Sequence, residues 1–172
     1  MIIILNGTSS SGKTSIANEL LKILPEYYFL FGVDQFLEKS MPRKINFENE
    51  SDFNLILKSI SGFNQSLKPI AQSVDHFILD HVLHKDEWIK EVALSLKGFE
   101  TFFVGIQAPL DILEKRELER PNRKPGTARA QFEKINSLKY DLTVDTSILS
   151  PSKAAKTIQE DLKPGTMLWK NN

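Results

Sequence analysis

The chain has 172 residues, 41% of them hydrophobic and 26% charged, with no cysteine and with 22 basic side chains against 22 acidic ones. Zero net charge removes the long-range field that would gather nucleic acid or an anionic membrane surface, and the lack of cysteine removes disulfides, thiolate metal sites and thiol catalysis. No apolar run approaches the ~20 residues of a membrane span, and Met1 opens on a strand without a charged leader, so a single cytoplasmic domain over residues 1–172 is the expectation.

In chain order, residues 1–6 are a short apolar, β-branched run that predicts a buried strand. Gly7-Thr8-Ser9-Ser10-Ser11-Gly12-Lys13-Thr14 follows without a gap and fits G-x-x-x-x-G-K-[ST], the phosphate-binding P-loop. Gly7 and Gly12 let main-chain amides approach phosphate oxygens. Lys13 places an ammonium on the β- and γ-phosphates, and the Thr14 hydroxyl is a hard oxygen ligand suited to Mg²⁺. Residues 15–24 predict an amphipathic helix stopped by Pro25, with its positive end and Ser15 at the same anion. ATP with Mg²⁺ is the cofactor expectation.

Residues 27–33 predict a second strand, with Asp34 just past its end and a short helical turn over 35–38. Residues 40–50 read as a loop. A long helix follows, capped by Ser51 or Asp52, with Phe53, Ile56, Leu57, Ile60, Phe63, Leu67 and Ile70 at helical spacing. The third strand, 76–80, again closes on a carboxylate, Asp80. A helix over 85–96 ends at Gly98, and a fourth strand spans 99–106. Pro109 opens a helix, broken by Pro121, Pro125 and Gly126 into helix, mobile loop and helix, with a lid placed at about 116–127. A fifth strand over 141–144, a helix over 151–162 and a tail whose Met167, Leu168 and Trp169 cover core complete the chain. Strands alternating with helical patterns predict an α/β fold with a parallel sheet covered on both faces.

Ligands of such sheets sit outside the carboxyl ends of the strands. The P-loop, Asp34 and Asp80 all fall there. Asp34 is the candidate general base for an attacking hydroxyl; capping the following helical turn is its alternative role. Asp80 is the candidate for holding Mg²⁺, directly or through water, because the apolar run before it ends at the nucleotide; an ordinary polar strand end is its alternative. Arg116 and Arg120 are four apart and so share a helix face, and Arg123 follows. Arginine forks onto phosphate oxygens, which suits a lid over a triphosphate, although the interleaved Glu114, Glu117 and Glu119 also fit a solvated charged face. His76, His81 and His84 lack metal-like partners and read as surface or strand-end residues, with lining of the acceptor pocket as the alternative for His81, which follows Asp80 directly.

These blocks resemble the chloramphenicol phosphotransferase family of small P-loop kinases over nearly the whole chain. Ile4 to Thr14 carries the opening block, and Phe31-Gly32-Val33-Asp34 the second, whose Asp is the family's base. Leu79-Asp80 follows. The lid pattern is matched by Arg116, Glu117, Arg120, Arg123, Gly126 and Ala128, with Gln131 just beyond. Tyr140, Asp141, Val144, Asp145 and Thr146 carry the last block. The resemblance implies an adenylate-kinase-like P-loop NTPase fold, a five-stranded parallel sheet in the order 2-3-1-4-5, and transfer of the ATP γ-phosphate to a hydroxyl of a small molecule. It implies catalytic roles for Asp34, Lys13, Arg120 and Arg123, nucleotide contacts from Gly7 through Ser15, Arg116 and Arg120, and metal ligation by Thr14 and Asp80. His81 stands where the family commonly has a second Asp. Two other readings are a kinase for a nucleotide or nucleotide sugar, and a nucleotide-binding regulatory module without transfer activity.

Overall fold

A computed structural model describes residues 1–41, 45, 49–120 and 125–171. Five strands form one sheet in the order β2-β3-β1-β4-β5, with every neighbouring pair parallel. These are β1 (Ile2–Asn6), β2 (Phe29–Gly32), β3 (Phe77–His81), β4 (Thr101–Gln107) and β5 (Leu142–Asp145). Four parallel neighbours need crossovers, and helices supply them. They are α1 (Lys13–Ile23), α2 (Val33–Ser40), α3 (Glu50–Ser73), α4 (Asp86–Ser95), α5 (Leu110–Leu118) and α6 (Thr127–Ser137), with α7 (Pro151–Glu160) and α8 (Met167–Lys170) after β5.

The pleat sends alternate side chains of each strand to opposite faces. Ile2, Ile4, Phe77, Leu79 and Phe103 join one core with residues of α3, α4 and α8. Ile3, Leu5, Ile78, Phe102 and Val104 join the other with α1 and α7. Both faces of the central strands are therefore apolar, which is why β1 reads as an unbroken hydrophobic run rather than an alternation. Leu168 of the tail is fully buried against the first core, as its composition predicts. A small third cluster of Ala108, Leu113 and Ala128 joins α5 to α6.

Several boundaries differ from expectation for local reasons. Helix α1 begins two residues early because Gly12, at φ +94°, turns the chain before Lys13. Strand β2 is shorter at both ends, since Tyr27 is 97% exposed and Val33 already belongs to α2. The predicted turn over 35–38 is a helix of eight residues that includes Asp34. The cap of α3 is Asn49, whose side chain accepts from the Asp52 N–H at 3.1 Å, and not Ser51 or Asp52. No helix among the described residues is long and apolar enough to cross a membrane.

Candidate active site

Register brings the site residues to one edge of the sheet. Leu5 pairs with Asp80 and Asn6 with His81, while Gly32 flanks Asp80 from the other side. The P-loop leaves β1 there, and Asp34 enters α2 there. The loop is tightly built. A Cβ on Gly7 would stand 2.3 Å from the Ile106 carbonyl oxygen and 2.6 Å from Ser11 Oγ, so only glycine fits without moving the backbone. The hydroxyls of Thr8, Ser9, Ser10 and Ser11 are buried and have no hydrogen-bond partner among the described residues. Such a group costs about 1–3 kcal/mol unless something satisfies it, and an anion with several oxygens is suited to do so.

Lys13 is buried and folds over its own loop, donating from Nζ to the carbonyls of Gly7 (3.0 Å) and Thr8 (2.9 Å). Thr14 Oγ1 donates to Asp80 Oδ2 at 2.6 Å. A hydroxyl and a carboxylate in contact beside a phosphate loop are the hard oxygen donors that fit Mg²⁺, which takes few protein ligands and completes its octahedron with water and phosphate.

Asp34 lies in the first turn of α2, two positions past Gly32, which occupies the cap position. It lines a cavity over the P-loop together with Ser10, Lys13, Thr14, Asp80 and Arg120. The same carboxylate residue, with Ser9, Val33 and Val82, forms the wall shared with a second pocket, whose other sides are Leu37, Ile60, His81, His84, Trp88, Thr127 and Gln131. That pocket measures about 140 Å³, close to the ~150 Å³ of engineered protein cavities that take up benzene. Ser10, Gly12, Ser15 and Arg120 are shared with a third pocket of about 390 Å³, whose lining includes Arg116, Thr146, Leu149 and Pro151. The cavity over the P-loop thus shares walls with both of the other pockets, which share none with each other.

The arginine cluster divides. Arg116 is on α5 and holds Thr146 through Nη1 to Oγ1 (3.0 Å) and Nη2 to the carbonyl (2.7 Å); Thr146 Oγ1 donates onward to the Ser11 carbonyl at 2.9 Å. Arg120 lies beyond the end of α5, so the helix face expected to carry both is not continuous, yet Arg120 lines two of the three cavities. Arg123 falls outside the described residues, as do residues 121–124 of the expected lid. Glu117 is no part of a solvated face. Its side chain is buried and accepts the backbone N–H groups of Gly126 (2.8 Å) and Ala128 (3.0 Å), capping α6 from outside because Gly126 has no side chain to do it.

His81 is at a strand end, as expected, but it is fully buried and not at the surface. Its Nδ1 accepts from the Val82 N–H at 2.8 Å, and Nε2 meets Asn64 Oδ1 at 2.9 Å. Burial lowers its pKa to about 3, against the pull of the Asp34 charge, so the ring is neutral at physiological pH. Burial lowers His84 as well. Gln131, on α6, accepts the Ser9 N–H at 2.8 Å and so links the P-loop to the second pocket. Asn64 and Trp88 had no signal in the sequence beyond helical periodicity. Thr146 and Gln131 were visible only as motif positions.

A family model described as "Chloramphenicol phosphotransferase-like protein" matches residues 1–163. A protein of Mycobacterium tuberculosis provisionally named an O-phosphotransferase is 24% identical over 181 residues, covering 92% of this chain and 80% of that protein. Among solved structures, the tunicamycin resistance protein of Deinococcus radiodurans superposes with a TM-score of 0.63 at 21% identity, covering 92% of this chain and 93% of the other. The APS kinase CysC of Mycobacterium tuberculosis, solved with AMPPNP and APS, gives a TM-score of 0.66 at 16% identity, with 93% and 95% covered. At these identities the two structures establish the fold.

Proposed function

Because the chain belongs to the chloramphenicol phosphotransferase-like family, it is a kinase with a hydroxyl acceptor, and we propose that it moves the γ-phosphoryl group of ATP to a small molecule with Asp34 as general base. The nucleoside would occupy the 390 Å³ pocket beside Arg116 and Thr146, the phosphates the P-loop, and the acceptor the 140 Å³ pocket beyond Asp34. One observation carries the reading: Asp34 lines both the phosphate cavity and the neighbouring pocket.

In the proposed step the acceptor hydroxyl gives its proton to the Asp34 carboxylate while its oxygen bonds to the γ-phosphorus. The bond from that phosphorus to the β–γ bridging oxygen breaks, and ADP leaves. Lys13 and the P-loop amides hold the phosphates, and Arg120, joined in this proposal by Arg123, offsets charge on the moving group. Thr14 and Asp80 would hold Mg²⁺, which when bound neutralises phosphate charge. Asp34→Asn should keep ATP-dependent thermal stabilisation and lower acceptor-dependent ADP release by about 10²–10⁴-fold. Unchanged ADP release would remove Asp34 as the base. Acceptor profiling with nucleoside monophosphates and UDP-sugars against simple alcohols, chloramphenicol included, separates this reading from that of a nucleotide kinase.

A further inference from the structure

His81, in the wall of the proposed acceptor pocket, begins a polar chain behind that wall that the proposed transfer step does not use. His81 and Asn64 are both almost wholly buried, with Phe63 and Trp88 ring centroids 6.1 and 6.0 Å from the imidazole. The hydrogen bonds fix each member in turn. An ionised carboxylate only accepts, and Glu91 takes the Ser61 hydroxyl on Oε1 (2.5 Å) and the Asn64 amide nitrogen on Oε2 (2.9 Å). That orients the Asn64 amide, so its Oδ1 is turned to His81 and Nε2 of the ring must donate to it across 2.9 Å. On the other side the Val82 N–H can only donate, so Nδ1 carries no proton. Both ring nitrogens are spent.

We infer that Glu91 and Asn64 are positioning residues of the acceptor pocket, holding His81 in its Nε2–H tautomer so that the ring meets the acceptor as a wall with no hydrogen bond to give. The inference rests on the placement of the acceptor proposed above. Its consequence is specific: the position that the family commonly fills with a second Asp does not compete with Asp34 for the acceptor's proton, and polar recognition of the acceptor passes to other pocket groups, Gln131 among them. A phenylalanine would fill the same space without desolvating an amide, an imidazole and a carboxylate together. The polar chain across α3 and α4 therefore sets an orientation as well as filling a core.

Long-range ¹H–¹⁵N spectra of ¹⁵N-histidine protein read the tautomer directly. There are three histidines, and His76→Gln and His84→Gln assign them. The wild type should show one His81 tautomer with the proton on Nε2. Asn64→Leu should mix the tautomers or turn the ring. Should Asn64→Leu fail to fold, Glu91→Lys at a half-buried position serves instead: lysine only donates, so Asn64 must turn and present its amide N–H to the ring. A wild-type ring protonated on Nδ1, or spectra unchanged in the folded variant, would overturn the inference. A second arm follows ADP release from Mg·ATP with water as acceptor. Asn64→Leu should slow it about tenfold in the wild type and should add no loss in a His81→Phe background, where no ring N–H remains to turn; the same loss in both backgrounds would also overturn the inference. If the wild type releases no ADP with any acceptor, the proposed function fails while the tautomer still decides this point.

Discussion

Glu117 ties the end of α5 to the start of α6, and Glu117→Gln isolates that cap with almost no change of volume. The carboxylate holds two N–H groups at the start of α6, at 2.8 and 3.0 Å, from a side chain only 1% exposed. Glutamine can accept with one oxygen and turns an NH₂ group toward the other donor. Losing one charge-assisted bond and orphaning its N–H costs about 2 kcal/mol. Weakening the other bond and removing negative charge from the N-terminus of α6 adds about 1 kcal/mol. With a urea m-value of about 2 kcal/mol/M, the sum of about 3 kcal/mol lowers the unfolding midpoint by about 1.5 M. Hydrogen exchange gives a second reading, because the Ala128 amide should lose about a hundredfold of protection. A midpoint within about 0.3 M of wild type, with Ala128 protected as before, would mean the carboxylate is not what holds α6 in place.

Lys13→Ala should remove ATP-dependent stabilisation, which at ATP a hundredfold above its dissociation constant is worth about 2.7 kcal/mol in the wild type; an unchanged thermal shift would count against the phosphate site. Arg120→Ala should lower kcat more than it weakens nucleotide binding, since charge over the moving group matters most in the transition state; equal losses in both would make it a binding residue only. The neutral buried state of His81 also has a pH signature. Its folded pKa, about 3, is below the unfolded value of 6.5, so the unfolded chain binds the extra proton between those values. The stability this group contributes is present above pH 6.5 and is lost as pH falls toward 3. Urea unfolding of His81→Gln from pH 4 to 6 should show a slope shallower by about 1.4 kcal/mol per pH unit; parallel slopes would mean the ring is not held neutral.

The parts legible in the sequence are those whose cause is local. Gly7, Gly12, Lys13 and Thr14 act through spacing along a few residues, and the unbroken run of β1 records burial on both faces. The strand order came from the family resemblance, because periodicity says which segments are strands and not which ones pair. Where a near choice depended on a single bond, the sequence misplaced it: Asn49, Ser51 and Asp52 are all competent caps, and only the start of α3 selects Asn49.

What the chain decided alone, then, was the phosphate loop, the alternation of strands and helices, and the set of charged residues available at the strand ends. Tertiary structure decided how those charges are spent. Arg116 looked like a lid residue, but Thr146, thirty positions away, occupies it. Glu117 read as a position of the lid pattern, with a solvated face as its alternative, and is a buried cap. His81 looked like a strand end and is sealed by Asn64, from a helix seventeen residues earlier. Hydrogen bonds act over about 3 Å, and those distances between residues far apart in sequence exist only once both faces of the sheet have been covered.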